Sequence, residues 1–162
     1  MIRNFFADSD FLTGLMVDRD SRSQKSNEIF EHLKESSLIS DISNFHVSNY
    51  IIMEVVQNLI GKHMPFAQVR ENYDNLTQCH VFQIKPKHIE EAFNTKLAPF
   101  CNHHTGNSPI GIVDATSLVV MDKSRINHII SFDEGFDKLP AKLFTRINDN
   151  DVIDQRILSR QL

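Results

Sequence analysis

The sequence predicts an α/β fold: a three-layer α/β/α sandwich with a mostly parallel five-stranded sheet. Three observations lead there. Short apolar runs of strand length recur along the 162 residues. Stretches with apolar residues at helical spacing separate them. No internal repeat, low-complexity tract or linker divides the chain. Strands that alternate with helices pair in parallel and are covered on both faces.

Residues 4–7 are continuous and apolar-rich, as a buried strand requires. Residues 21–37 follow as a helix with Ile29, Phe30 and Leu33 on one side, and 44–47 as a short second strand. Residues 50–60 carry Ile52, Val55, Val56 and Leu59 at amphipathic spacing, with Gly61 as the C-terminal cap. Pro65 suits a first helical position, and Phe66, Val69, Tyr73 and Leu76 mark the inner stripe of the helix it opens. Residues 81–84 read as a third strand, followed by a helix carrying Ile89, Phe93 and Leu97. A helix over 114–123 and strands over 128–132 and 143–147 complete the alternation. Residues 1–147 form the body of one domain, and 148–162, helical around Ile153 and Ile157, form its C-terminal tail.

The bulk numbers exclude several classes. Apolar residues make up 41% and charged residues 23%, a globular composition rather than a disordered one. No apolar run approaches the ~20 residues that span a bilayer, so no membrane partner is expected. Asp8 interrupts the first apolar residues too early for a signal peptide. Cys79 and Cys101 form no C-x-x-C pair and fit a reducing compartment, so a cytoplasmic location is expected. Seventeen basic against 21 acidic residues leave a formal charge of −4, which argues against broad phosphate-driven binding. It argues less against an enzyme whose bound cations offset its own acids.

Sites in parallel sheets form beyond the carboxyl ends of the strands. Asp8 directly follows the first strand and Asp133 the fourth, so both belong to one sheet edge. Asp8 has a competing account as a helix cap, together with Ser9. Glu54 lies in Tyr50-Ile51-Ile52-Met53-Glu54-Val55-Val56, apolar on nearly every side. An ionised glutamate there needs a partner, either a core salt bridge or a shared cation. Asp114 heads an apolar helix, where capping and cation binding are compatible. Asp10 and Asp137 stand next to these acids as a second tier; a solvated turn is the better account of Asp137 and Glu134.

Taken in order, these segments resemble the PIN-domain nucleases over nearly the whole chain. Asp8-Ser9-Asp10-Phe11-Leu12 matches the family's first motif, Glu54 in its apolar helix the second, and Asp114-Ala115 the third. Ser131-Phe132-Asp133-Glu134-Gly135-Phe136 matches the fourth, T/S-x-D-x-x-F. The resemblance implies a PIN-like sheet and a cluster of Asp8, Glu54, Asp114 and Asp133 binding Mg²⁺ or Mn²⁺. Hard oxygen ligands suit those ions, which orient a water and lower its pKa. It further implies a metal-dependent endoribonuclease acting on single-stranded RNA. The same likeness implies a VapC-type toxin of a type II toxin–antitoxin pair, expected as a homodimer held inactive by an antitoxin protein. Asp10 departs from the motif's usual third residue, and the chain is longer than compact toxins around 100–111 and at its C-terminus. Arg19, Arg22 and Lys25 are candidate RNA contacts, with a solvated helix start as the alternative.

Three rival readings follow from the same residues. Asp8-x-Asp10 and Asp133-x-x-x-Asp137 are similar to motifs of haloacid-dehalogenase-like phosphatases. However, Leu12 replaces that family's Thr or Val, no later Lys motif follows, and Glu54 is left unexplained. A catalytically silent PIN-like module that binds RNA or protein is the second. A zinc site from Cys101-x-His103-His104 with Cys79 or His80 is the third, at a spacing that fits no standard pattern.

Overall fold

The computed structural model describes residues 4–102, 104–140 and 143–159. One sheet is built from Phe5–Ala7 (β1), Phe45–Ser48 (β2), His80–Phe82 (β3), His128–Ile130 (β4) and Thr145–Ile147 (β5). The strand order is β3-β2-β1-β4-β5, and all four pairings are parallel. The helices are Ser9–Met16 (α1), Ser23–Glu35 (α2), Asn49–Gly61 (α3), Phe66–Leu76 (α4), Pro86–Ala92 (α5), Ile112–Ser124 (α6) and Asn150–Ile153 (α7).

Chain direction decides the layers. From β1 to β3 the chain steps one way across the sheet; from β3 to β5 it steps back across it. Right-handed crossovers therefore place α1–α4 on one face and α5–α6 on the other. Packing agrees: α1 lies on α2 and α3, α3 on α4, and α5 on α6. This is the predicted three-layer α/β/α sandwich. β1 is central and buried on both faces, so its residues are apolar without alternation. Phe11 meets Phe45 edge-on at 5.6 Å between ring centroids, while Phe6 stacks on Phe82 at 6.5 Å, which fills the space above and below the sheet. Ile153 and Ile157 are fully buried, with α7 against α2 and His32 Nε2 2.8 Å from Asp154 Oδ1. Among the described residues no helix is long and apolar enough to cross a membrane.

Several expectations need correction. Phe66 is 81% exposed and Tyr73 is also exposed; only Val69 and Leu76, seven residues apart, are buried on α4. A helix that packs along one seam buries a narrower stripe than its apolar residues suggest. Phe93 is exposed as well, because α5 passes there into a π-helical turn over Phe93–Leu97 that shifts the helical phase. Gly61 does not supply the left-handed cap of α3. Lys62 is the C-cap and His63 takes the positive φ of 59°. β4 stops at Ile130 rather than 132, because the Phe132 N–H is taken by a side chain, Asp10 Oδ2, at 2.9 Å.

The far edge of the sheet holds a titratable pair. His46 stacks on His80 at 4.7 Å, and burial, then His80, lower the His46 pKa from the ordinary 6.5 to about 4. The unfolded chain binds that proton more readily than the folded one. Stability from neutral His46 is therefore intact above pH 6.5 and is lost progressively as pH falls toward 4. Thermal unfolding of wild type and His46→Phe across this window should show a shallower acid loss in the variant. Parallel curves would remove His46 from the acid response.

Candidate metal centre

Strand order reverses around β1, the place where a crevice opens beyond the strand ends. Asp8 leaves β1 there, and its N–H donates to Ile130 O of β4 at 3.0 Å. The residue is 4% exposed. Oδ1 accepts the Ser9 N–H at 2.8 Å, capping α1, and Oδ2 accepts the Ser131 hydroxyl at 2.7 Å. Ser131 Oγ in turn accepts the Asp133 N–H at 3.1 Å, so one serine ties the two strand-end acids together. Asp133 Oδ1 accepts the Gly135 N–H at 2.7 Å and caps the 3-10 turn Glu134–Lys138.

The remaining acids come from helices. Asp114 is the third residue of α6, which begins two residues earlier than predicted; its Oδ2 reaches back to the Gly111 N–H at 3.1 Å. Glu54, half-buried on α3, makes no hydrogen bond or ion pair among the described residues, so the core salt bridge is absent there. Asp10 accepts the Phe11 N–H at 2.6 Å and the Phe132 N–H at 2.9 Å, one on each oxygen. Asp8, Asp10, Glu54, Asp114 and Asp133 line one open cleft of about 460 Å³, with Arg22 the single basic residue of its lining.

That arrangement is electrostatically expensive. Burial, then Asp10 and Asp114, push the Asp8 carboxyl well above the usual carboxylate range. Burial raises Asp10 too, opposed by its two backbone N–H donors. Asp114 is pushed up to about 6 by burial, against the Gly111 N–H and with Asp133, Glu54 and Asp10 adding to the rise. Crowded carboxylates in a partly dry cleft either hold protons or take up a cation. The donor set is all oxygen, which fits a hard divalent ion. Among the described residues no three acidic, histidine or cysteine side chains are already gathered tightly enough to enclose an ion.

A PIN-domain profile matches residues 6–142. The chain belongs to the PIN-domain family. No curated protein matches it in sequence. Among solved structures it is similar to the crystal structure of Mycobacterium tuberculosis VapC20, described as a sarcin-ricin loop cleaving toxin. The TM-score is 0.65 at 20% identity, over 89% of this chain and 98% of that one. At that identity the likeness concerns the PIN fold.

Within this PIN domain the second-tier candidates separate. Asp10 lies in the cleft, with both oxygens already engaged by backbone. Asp137 lies outside its lining and pairs with Arg146 instead, so the phosphatase-like Asp133-x-x-x-Asp137 pattern does not assemble in the cleft. Arg22 lines the cleft, Arg19 stands on the wall of a neighbouring one, and Lys25 is an exposed residue in the first turn of α2. The zinc pattern fares no better. Cys79 is buried, donates to Ile42 O at 3.2 Å and has its thiol pushed up to about 11 by burial. His103 lies outside the described residues.

Sequence reasoning passed over Ser131 and Asp20. Ser131 opens the T/S-x-D pattern, and that small polar residue at a strand end was the available signal. Asp20 is buried and binds Arg22 and Lys62. Its neighbourhood reads as a solvated loop, so no local signal marked it.

Proposed function

We propose that this PIN-domain protein is a metal-dependent endoribonuclease that cleaves single-stranded RNA. The observation that carries the reading is the convergence of five carboxylates, from four separate parts of the fold, on one cleft at the sheet's switch point. Asp8, Glu54, Asp114 and Asp133 would hold Mg²⁺ or Mn²⁺, and Asp10 would brace the Phe132 backbone beside them. Such an ion, when bound, supplies Lewis acidity that makes water more acidic and offsets charge on the phosphate. Ser131 holds Asp8 and Asp133 in register, and Glu54, without a hydrogen-bond or ion-pair partner among the described residues, would ligate the ion or orient a water bound to it.

The wider role we propose is that of a VapC-type toxin, paired with an antitoxin protein and acting as a cytoplasmic homodimer. The PIN family, the fold shared with VapC20 and the two free cysteines support it. Residues 1–147 would form the nuclease body and 148–162 its closing tail.

A labelled single-stranded RNA incubated with Mn²⁺, Mg²⁺ or EDTA tests the reading. Wild type should cut only with metal, and Asp8→Asn should cut about a hundredfold more slowly or worse. Metal-independent cutting, or equal cutting by a folded Asp8→Asn, would overturn it. Binding without cutting would favour the silent PIN-like module.

A further inference from the structure

Asp20 lies outside the acid cleft lining, yet it is only 6% exposed. A carboxylate so buried needs cationic partners, and it has two from different elements. Arg22 Nε reaches Oδ1 at 2.9 Å and Nη2 reaches Oδ2 at 3.1 Å, while the Arg22 N–H adds a bond to Oδ1 at 2.9 Å. Lys62, the C-cap of α3, places Nζ 2.9 Å from Oδ2. Hydrogen bonds from Arg22, then Lys62, hold the Asp20 carboxyl well below the usual range, so it stays ionised.

Sharing one oxygen sets the guanidinium and the ammonium side by side. Their side chains remain 36% and 39% exposed, so both keep donors for a ligand. Arg22 faces the acid cleft. Lys62 faces a second open cleft of about 620 Å³, whose wall also carries Arg19, His63, Gln68 and one acid, Asp18. Two cations on one carboxylate leave this triad itself net positive, and it links the lining of one cleft to the lining of the other. A polyanion approaching five carboxylates needs such a foothold, and Arg22 is the only basic group of the acid cleft's lining.

We infer that Asp20 is a positioning residue. It holds Arg22 and Lys62 as a paired phosphodiester contact that leads a single RNA strand from the acid cleft into the neighbouring cleft lined by Arg19 and His63. The inference rests on the ribonuclease reading. Arg22 binds Asp20 through its Nε–Nη2 edge, which leaves Nη1 for phosphate oxygens.

Asp20→Asn keeps the side chain's shape and its acceptor but removes the charge. In an Asp114→Asn background, binding of a fluorescein-labelled single-stranded RNA of mixed sequence is followed by anisotropy at several salt concentrations. Arg22→Ala and Lys62→Met should each weaken binding about tenfold and lower the salt slope by about one. Asp20→Asn should also weaken it about tenfold, although the protein becomes less acidic. In the cutting enzyme it should raise KM with kcat within about twofold. Arg22→Lys should not restore binding, because it lacks the fork. Were Asp20 a mere repulsive charge, its removal would tighten binding. Tight or tighter binding by Asp20→Asn overturns the inference. If that variant melts early, unchanged binding by Lys62→Met overturns it independently. Failure of wild type to cut would instead sink the ribonuclease reading, whereas normal cutting with unaltered binding by the variants would sink this inference alone.

Discussion

Asp114→Asn should abolish RNA cleavage while making the metal-free protein more stable. Asp114 sits in the shared cleft with four other carboxylates, and its pKa is pushed up to about 6, burial being the largest cause. In the unfolded chain the same group titrates near 3.8. The folded state therefore binds the proton more tightly, and ionisation weakens folding as pH rises from about 4 to about 6. Above that window the full penalty is present. Asparagine removes it, and its amide oxygen can still accept the Gly111 N–H. In EDTA at neutral pH the variant should gain roughly 1–3 kcal/mol, seen as a higher melting temperature, and the gap should close toward pH 4. Saturating Mn²⁺ should reverse the order, because a bound ion stabilises the wild type by mass action. Cleavage should fall by about a thousandfold. Equal melting in EDTA would mean that the cluster carries no electrostatic strain at Asp114; cleavage that persists would remove Asp114 from the reaction.

Gly135→Ala should damage stability and activity together, although it removes no acid. A Cβ at Gly135 would lie 2.3 Å from the Pro109 carbonyl oxygen and 3.0 Å from Asp133 Oδ1. The first contact is with backbone, which cannot swing aside as a side chain does. Relief must move either the 3-10 turn that Asp133 caps or the segment that leads through Gly111 to Asp114. Overpacking of this kind costs about 2–4 kcal/mol. Displacing either acid by about 1 Å slows a positioned reaction by about a hundredfold. Gly61→Ala is the control: nothing lies within 4 Å of its added Cβ, so the variant should match or slightly exceed wild type in melting and in cutting. If Gly135→Ala behaves like Gly61→Ala, the two loops are not coupled through this contact.

The elements most legible in the sequence were those with one dominant local cause. Phe5-Phe6-Ala7 read as a buried strand because a central parallel strand has no polar face, and Asp8 read as a strand-end acid because it breaks that run. Glu54 stood out for the opposite reason, a charge inside an apolar helix. Phe66 misled because an apolar residue at helical spacing looks the same whether or not a neighbour covers it. For Asp137 the sequence left a site role and a turn role open, because the partner that draws it from the cleft, Arg146, sits nine residues on in β5.

By itself the sequence determined the alternation of strands and helices, the parallel layering that follows from it, and the carboxylates at or near the ends of its elements. Those are set by local periodicity and by solvation, which act over a few residues. Tertiary structure alone decided strand order, the bridge that Ser131 builds between Asp8 and Asp133, the backbone bonds that occupy Asp10, and the burial of Asp20 between Arg22 and Lys62. Each depends on groups far apart in sequence meeting at one point, and no local pattern encodes which of several equally polar residues will find its partner there.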